Sequence, residues 1–215
     1  MLSIKHFVFN PFGENTYIVF DTETRHAIVI DPGMITPDEY SLFDGFIADN
    51  HLTLDLIVNT HLHLDHCFGD NWVRDKYQVQ IAAHKADEPL GASLGEQMRQ
   101  FGIVAPENLA VTVDRELNDG DMLEVGAYRF TVIHLPGHSP GGIALYCAEE
   151  QTAFVGDSIF FCSIGRTDLP GGDYRMLIDS LRSKIFTLPD NTRLLTGHDR
   201  YTTVATEKLH NPYLV

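Results

Sequence analysis

Thr60-His61-Leu62-His63-Leu64-Asp65-His66 is the stretch whose reading decides the fold. It follows Leu54-Asp55-Leu56-Ile57-Val58-Asn59, an apolar run that reads as a buried strand. From Thr60 to Asp65 polar and apolar residues alternate. In an extended backbone that alternation sends His61, His63 and Asp65 to one face and Leu62 and Leu64 to the other. His66 comes next in line. Imidazole suits zinc or iron, and the carboxylate adds negative charge and a harder ligand. Three histidines and an aspartate within six residues weigh against a polar loop enriched in histidine by chance. The stretch reads as a cation-binding loop at a strand end.

Working outward, short strands are expected at Ile4 to Phe9, Thr16 to Phe20 and Ala27 to Ile30, all rich in β-branched and aromatic residues. Asp31-Pro32-Gly33 ends the third. Thr36-Pro37-Asp38-Glu39 has the form of an N-cap with proline at the first helical position, and a helix to about Asp49 follows. Beyond the histidine loop, Asn71 to Tyr77 reads as a helix, Val79 to Ala82 as a strand and Asp87 to Phe101 as a helical excursion. Asn118-Asp119-Gly120-Asp121 signals a tight turn between strands at Val111 to Val113 and Met122 to Val125. Tyr128 to Leu135, Ile143 to Tyr146, Thr152 to Val155 and Thr192 to Leu195 are further strands. Asp173 to Phe186 and Thr203 to His210 read as helices. Strands in consecutive groups, with helices between and after them, predict an α/β fold of two packed sheets with helices outside, an αβ/βα four-layer sandwich.

Three of these strand ends carry the remaining ligand-type side chains. Leu135 runs into Pro136-Gly137-His138, Val155 into Gly156-Asp157, and Leu195 into Thr196-Gly197-His198. Each is a strand running into a glycine and then a side chain that a sheet-edge loop can present. With the first loop they give His61, His63, Asp65, His66, His138, Asp157 and His198, enough ligands for two metals. His6, His26, His51, His84, His134 and His210 fit no such pattern and read as ordinary core or surface residues.

Composition narrows the classes. The chain has 215 residues, 44% of them hydrophobic, enough for a full core and one domain over 1–215. A net charge of −15 would repel nucleic acid and anionic membrane surfaces, leaving a small molecule as the expected partner. No apolar run is long enough to span a bilayer, and the N-terminus lacks the pattern of a signal peptide. Cys67, Cys147 and Cys162 are widely spaced and form no CxxC pair, as expected for reduced thiols of a cytoplasmic protein.

The HxHxDH loop, followed by a lone His, a lone Asp and a final His, resembles the metallo-β-lactamase superfamily. Val29-Ile30-Asp31-Pro32-Gly33, Leu117-Asn118-Asp119-Gly120-Asp121, Gly165-Arg166-Thr167-Asp168 and Asn211-Pro212 are similar to the small bacterial glyoxalase II-like hydrolases within it. That resemblance implies one divalent metal on His61, His63 and His138 and a second on Asp65, His66 and His198. Zinc is expected, with iron or a mixture as the other choices. Asp157 would bridge the two, so Asp65 and Asp157 become the expected catalytic carboxylates, and Asp31 matches an aspartate that steadies the loop from behind. Arg166 falls where longer glyoxalase II enzymes place a basic glutathione-contacting residue, although Thr167 and Asp168 depart from the aromatic positions beside it. No further C-terminal helical domain is expected, so Arg166, with Arg200 and Tyr201, is left to hold a substrate's polar tail.

The implied activity is hydrolysis of a thioester such as S-lactoylglutathione. Paired metals lower the pKa of a shared water towards neutrality. A thiol with a pKa of about 8.5 departs as thiolate, whereas an amine must first be protonated. Two alternatives share the fold: a persulfide dioxygenase with one iron on His61, His138 and Asp157, and a lactone or other ester hydrolase.

Overall fold

Residues 1–102 and 109–214 are described by the computed structural model. The first sheet is built from β1 (Leu2–Phe9), β2 (Glu14–Asp21), β3 (His26–Ile30), β4 (Thr53–Val58), β5 (Gln80–Ala83) and β6 (Arg115–Glu116), neighbours in that order. β1 to β3 pair antiparallel and β3 to β6 parallel. The second sheet holds β7 (Met122–Val125), β8 (Tyr128–His134), β9 (Ile143–Cys147), β10 (Thr152–Gly156), β13 (Arg193–Thr196) and β14 (Thr202–Thr203), in the order β14-β13-β10-β9-β8-β7. A small hairpin of β11 (Ile159–Phe160) and β12 (Ser163–Ile164) stands apart.

The two-residue period of the strands sorts their side chains into three apolar layers. Tyr17, Val19, Ile28, Ile30 and Val58 face Phe130, Val132, Leu145 and Phe154 between the sheets. The alternate residues Ile18, Phe20, Val29 and Ile57 pack outward on α1 (Pro37–Asp49), through Phe43 and Ile47, and on α3 (Asp70–Tyr77) through Val73. On the far side Ala144, Ala153, Val155 and Leu194 meet Leu177 and Leu181 of α6 (Tyr174–Ser183) and Val204 of α7 (Val204–His210). The result is the expected αβ/βα sandwich. β2 is buried on both faces, which explains why it reads as continuous rather than alternating.

Several local expectations need correction. Leu64–Cys67 is a helical turn, α2, so the extended backbone stops at His63, whose φ of −74° and ψ of 152° make it the N-cap. Asp65 and His66 therefore project from a helix, not from a strand face. The excursion after Asp87 breaks into α4 (Glu88–Ala92) and α5 (Leu94–Gln100), separated at Ser93. Val111 to Val113 is not a strand: the Val111 amide donates to Gly91 O on α4 rather than to a neighbouring strand. The turn at Asn118 to Asp121 closes no hairpin either. β6 before it pairs with β5 in the first sheet and β7 after it with β8 in the second, so this turn carries the chain between sheets. α6 ends at Ser183, and a separate 3-10 turn covers Ile185–Thr187. No helix among the described residues is long and apolar enough to cross a membrane.

Candidate metal centre

β3 and β4 of the first sheet run parallel, as do β10 and β13 of the second, and β8 shares their direction because β9 lies antiparallel between β8 and β10. The C-terminal ends of these five strands present Asp31, the His61–His66 loop, His138, Asp157 and His198. Strand direction thus delivers to one edge residues that lie up to 167 positions apart, from Asp31 to His198. Gly156 makes the approach possible: its φ is +49°, and a Cβ there would collide with the Thr60 side chain.

The seven side chains form two adjoining clusters. His138 Nε2 lies 2.9 Å from His63 Nδ1 and 3.2 Å from His61 Nε2. In the other cluster His198 Nε2 stands 3.2 Å from Asp65 Oδ2, and His66 Nε2 lies 3.8 Å from the same oxygen. Asp157 reaches both, with Oδ2 at 3.7 Å from His138 and 3.5 Å from His198, and Oδ1 at 3.4 Å from His66. The donor atoms in each triad, His61/His63/His138 and Asp65/His66/His198, lie within 4.8 Å of one another.

The partners behind the imidazoles orient their ring nitrogens. Asp31 Oδ1 accepts from the Thr60 amide and Oδ2 from the Thr60 hydroxyl, both at 2.6 Å. With its proton so committed, Thr60 Oγ1 accepts from His61 Nδ1 at 3.1 Å, leaving a lone pair on His61 Nε2. His66 Nδ1 donates to Asp31 Oδ2 at 3.0 Å and His138 Nδ1 to the Arg166 carbonyl at 2.7 Å, with the same consequence. Among the described residues the buried atoms His63 Nε2, His66 Nε2 and Asp157 Oδ1 have no hydrogen-bond partner. Buried polar atoms are rarely left unpaired. Nitrogen-rich and oxygen-containing triads with orphaned donor atoms fit first-row divalent metals.

The clusters differ electrostatically. Burial, with His138 beside it, pushes His63 down to about 3, and burial with neighbouring imidazoles holds His61 well below its ordinary value. Burial also opposes charge on His66, but Asp157, Asp65 and Asp31 outweigh it and lift the ring well above. For His198, burial is overcome by hydrogen bonds to Asp157 and Asp65, which raise it to about 10. The two aspartates are in turn held low despite burial, chiefly by His66 and His198.

Above the clusters opens a cavity of about 560 Å³, with His63, Asp65, His138, Asp157 and His198 exposed to it and Phe12, Leu64, Leu90, Phe101, Phe160 and Ile164 on its walls. A model of the metallo-beta-lactamase superfamily matches residues 9–198. This chain belongs to that superfamily. A hydroxyacylglutathione hydrolase, GloC, from Haemophilus influenzae is 38% identical over 205 residues, covering 94% of this chain and 93% of its own. Among solved structures, the BLEG-1 B3 metallo-beta-lactamase superposes with a TM-score of 0.88 at 32% identity, covering 99% of this chain and all of its own. TTHA1623 in a di-iron-bound form gives 0.85 at 33%, over 98% of this chain and 100% of its own. ETHE1 from Myxococcus xanthus gives 0.78 at 28%, over 98% of this chain and 83% of its own.

Within this superfamily fold, Arg166 lines the cavity, but its guanidinium is committed to Asp168 at 2.8 and 2.7 Å, and both side chains are largely exposed. Arg200 and Tyr201 do not line the metal cavity. The Arg200 guanidinium lies 3.5 Å over the Phe161 ring, and both residues border a second cavity beside His6 and Arg193. Other supports left little local signal in the sequence. Asn15 Nδ2 donates to Thr196 O and Asp199 O, both at 2.9 Å, and so holds the His198 turn. Asn10 Nδ2 donates to Asp65 O at 3.0 Å, and Gln97 Oε1 accepts from the Leu64 amide at 3.0 Å. The one hint was polar residues in Glu14-Asn15-Thr16, where a strand would otherwise be apolar.

Proposed function

We propose that this protein is a dinuclear metal-dependent hydrolase of a small thioester such as S-lactoylglutathione. The observation that carries the reading is the pair of adjoining triads, joined through Asp157, at the floor of one cavity. His61, His63 and His138 would hold one metal and Asp65, His66 and His198 the other. Metals bound there supply Lewis acidity and a water acidic enough to ionise near neutral pH. Both oxygens of Asp157 face the triads, which suits a carboxylate that fixes their separation. Asp65 and Asp157 are both held ionised, so neither is a ready proton donor for an amine leaving group. A thiolate needs none. The apolar walls shield the acyl carbon from bulk water, and Arg166 at the rim suits the polar end of a thiol such as glutathione. The likeness to the Haemophilus influenzae hydrolase supports the same class. Zinc is the proposed metal, with iron as the other candidate. A cytoplasmic small-molecule role, without nucleic acid or membrane partners, goes with the acidic charge and free cysteines.

A second reading, an iron dioxygenase acting on a persulfide, draws on the proximity of His61, His138 and Asp157. It gives no task to His63, His66 and His198. Thiol release and oxygen consumption should be followed side by side on metal-loaded protein. Cleavage of S-lactoylglutathione without oxygen uptake is expected. Rapid uptake with glutathione persulfide, and no thiol release from any thioester, would reverse the order of the two readings.

A further inference from the structure

Asp87 is fully buried just after β5, and among the described residues its side-chain hydrogen bonds all point away from its own helix. It directly precedes α4 yet makes no side-chain cap for it. Instead Oδ2 accepts from the Leu62 amide at 3.2 Å and from Ser139 Oγ at 2.8 Å, while Oδ1 accepts from the Gly141 amide at 2.5 Å. Among the described residues it has no cationic partner within salt-bridge distance. A buried carboxylate satisfied only by neutral donors carries a desolvation cost. Its three bonds reach two segments. Leu62 lies between His61 and His63, and Ser139 and Gly141 follow His138.

We infer that Asp87 is a positioning residue that sets the affinity of the His61/His63/His138 triad for its metal by tying the two loops carrying those histidines together. Asp31 braces the histidine loop differently, touching His66 directly and His61 through the Thr60 hydroxyl. The backbone allows no substitute at the far end: a Cβ on Gly141 would lie 2.7 Å from Asp87 Cγ and 2.8 Å from Oδ1. The His138 loop has independent anchors, with the Ile143 amide on Thr60 O at 2.8 Å and His138 Nδ1 on the Arg166 carbonyl. Losing Asp87 therefore leaves the loop folded while loosening its register against His61 and His63. An asparagine there turns an NH₂ toward either the Leu62 or the Gly141 amide, each of which can only donate.

The inference rests on the proposed two-metal site, and zinc titration of chelator-stripped protein against a chromophoric competitor separates the two. Wild-type protein should show two binding steps, with His198→Ala identifying the one that belongs to Asp65/His66/His198. In Asp87→Asn the other step should weaken by about 10–100-fold, the range seen when outer partners of metal ligands are lost. The His198 step should weaken markedly less, because none of the three Asp87 bonds reaches Asp65, His66 or His198. Ser139→Ala, which removes one of three bonds, should weaken the same step by less. Two steps of wild-type affinity in both variants would overturn the inference and leave the two-metal reading standing. Equal weakening of both steps would also overturn it, by showing a general structural role. If Asp87→Asn does not fold, Ser139→Ala decides: no selective weakening there refutes the inference. Fewer than two steps in wild-type protein would remove the two-metal reading, and the inference with it.

Discussion

Asp31 Oδ2 stands 3.0 Å from His66 Nδ1, and the same carboxylate takes the Thr60 amide at 2.6 Å, so one buried side chain braces both ends of the histidine loop. The Asp31 backbone sits at a φ of +50°, a conformation that asparagine tolerates. Asp31→Asn should therefore keep the fold but lose the negative charge behind His66. Zinc affinity at the Asp65/His66/His198 triad is expected to fall about 10–100-fold, measured by competitive titration.

His198 closes the second triad from a partly exposed turn, its side chain 20% accessible. His198→Ala should lower the metal content of purified protein from two per chain to one and abolish thioester hydrolysis, with an unchanged circular dichroism spectrum. Retention of two metals and full activity would remove His198 from the metal centre.

Proton release distinguishes the triads. In metal-free protein His198, raised to about 10, is charged at pH 7, whereas His63, at about 3, is neutral. Filling the Asp65/His66/His198 triad must expel at least the His198 proton, so its apparent affinity should increase with pH up to about 10. Weakly buffered titration should register acidification with that metal. The sign for stability is opposite. A raised histidine contributes stability that is complete below its unfolded value of about 6.5, and that contribution is lost as pH climbs through the folded value. The melting temperature of metal-free protein should accordingly decline from pH 7 to 10.

Arg166 holds His138 with its backbone carbonyl, while its side chain pairs with exposed Asp168. Arg166→Ala should thus leave metal content intact and cost no more than about 1 kcal/mol in stability. KM should rise more for anionic thioesters than for neutral ones. Identical changes for both substrates would show that the guanidinium does not meet the substrate.

Leu177 of α6 is fully buried against the second sheet, whereas its neighbour Met176 is 46% exposed. Leu177→Ala should cost about 2–5 kcal/mol in urea unfolding through lost burial and a residual cavity. Met176→Ala should stay within about 0.5 kcal/mol of wild type.

The candidate side chains were legible because their signals are local. A histidine loop at a strand end, and glycines followed by His138, Asp157 and His198, stand out in the linear chain. Leu62 is buried in the outer apolar layer, as the alternation requires, and Leu64 joins it from the first turn of α2. The same alternation misplaced Asp65, because an alternating pattern does not record where a helix begins, and α2 starts at Leu64. Likewise Asn118 to Asp121 has the composition of a hairpin turn, and only the pairing partners of β6 and β7 reveal that it crosses between sheets.

By itself, the sequence determined the apolar periodicity that makes two sheets and their covering helices, and the set of imidazoles and carboxylates offered at strand ends. Tertiary structure alone decided which of those ends meet, that His138 faces His61 and His63 while His198 faces Asp65, and that Asp157 spans both. It also decided the supports: Asp31, Asp87 and Asn15 bond to residues far along the chain, with Asn15 reaching Thr196. The physical reason is range. Side-chain period is set by neighbours within a few residues. A buried carboxylate or amide, by contrast, is satisfied by whichever donors and acceptors the folded backbone brings within about 3 Å, and no local pattern encodes them.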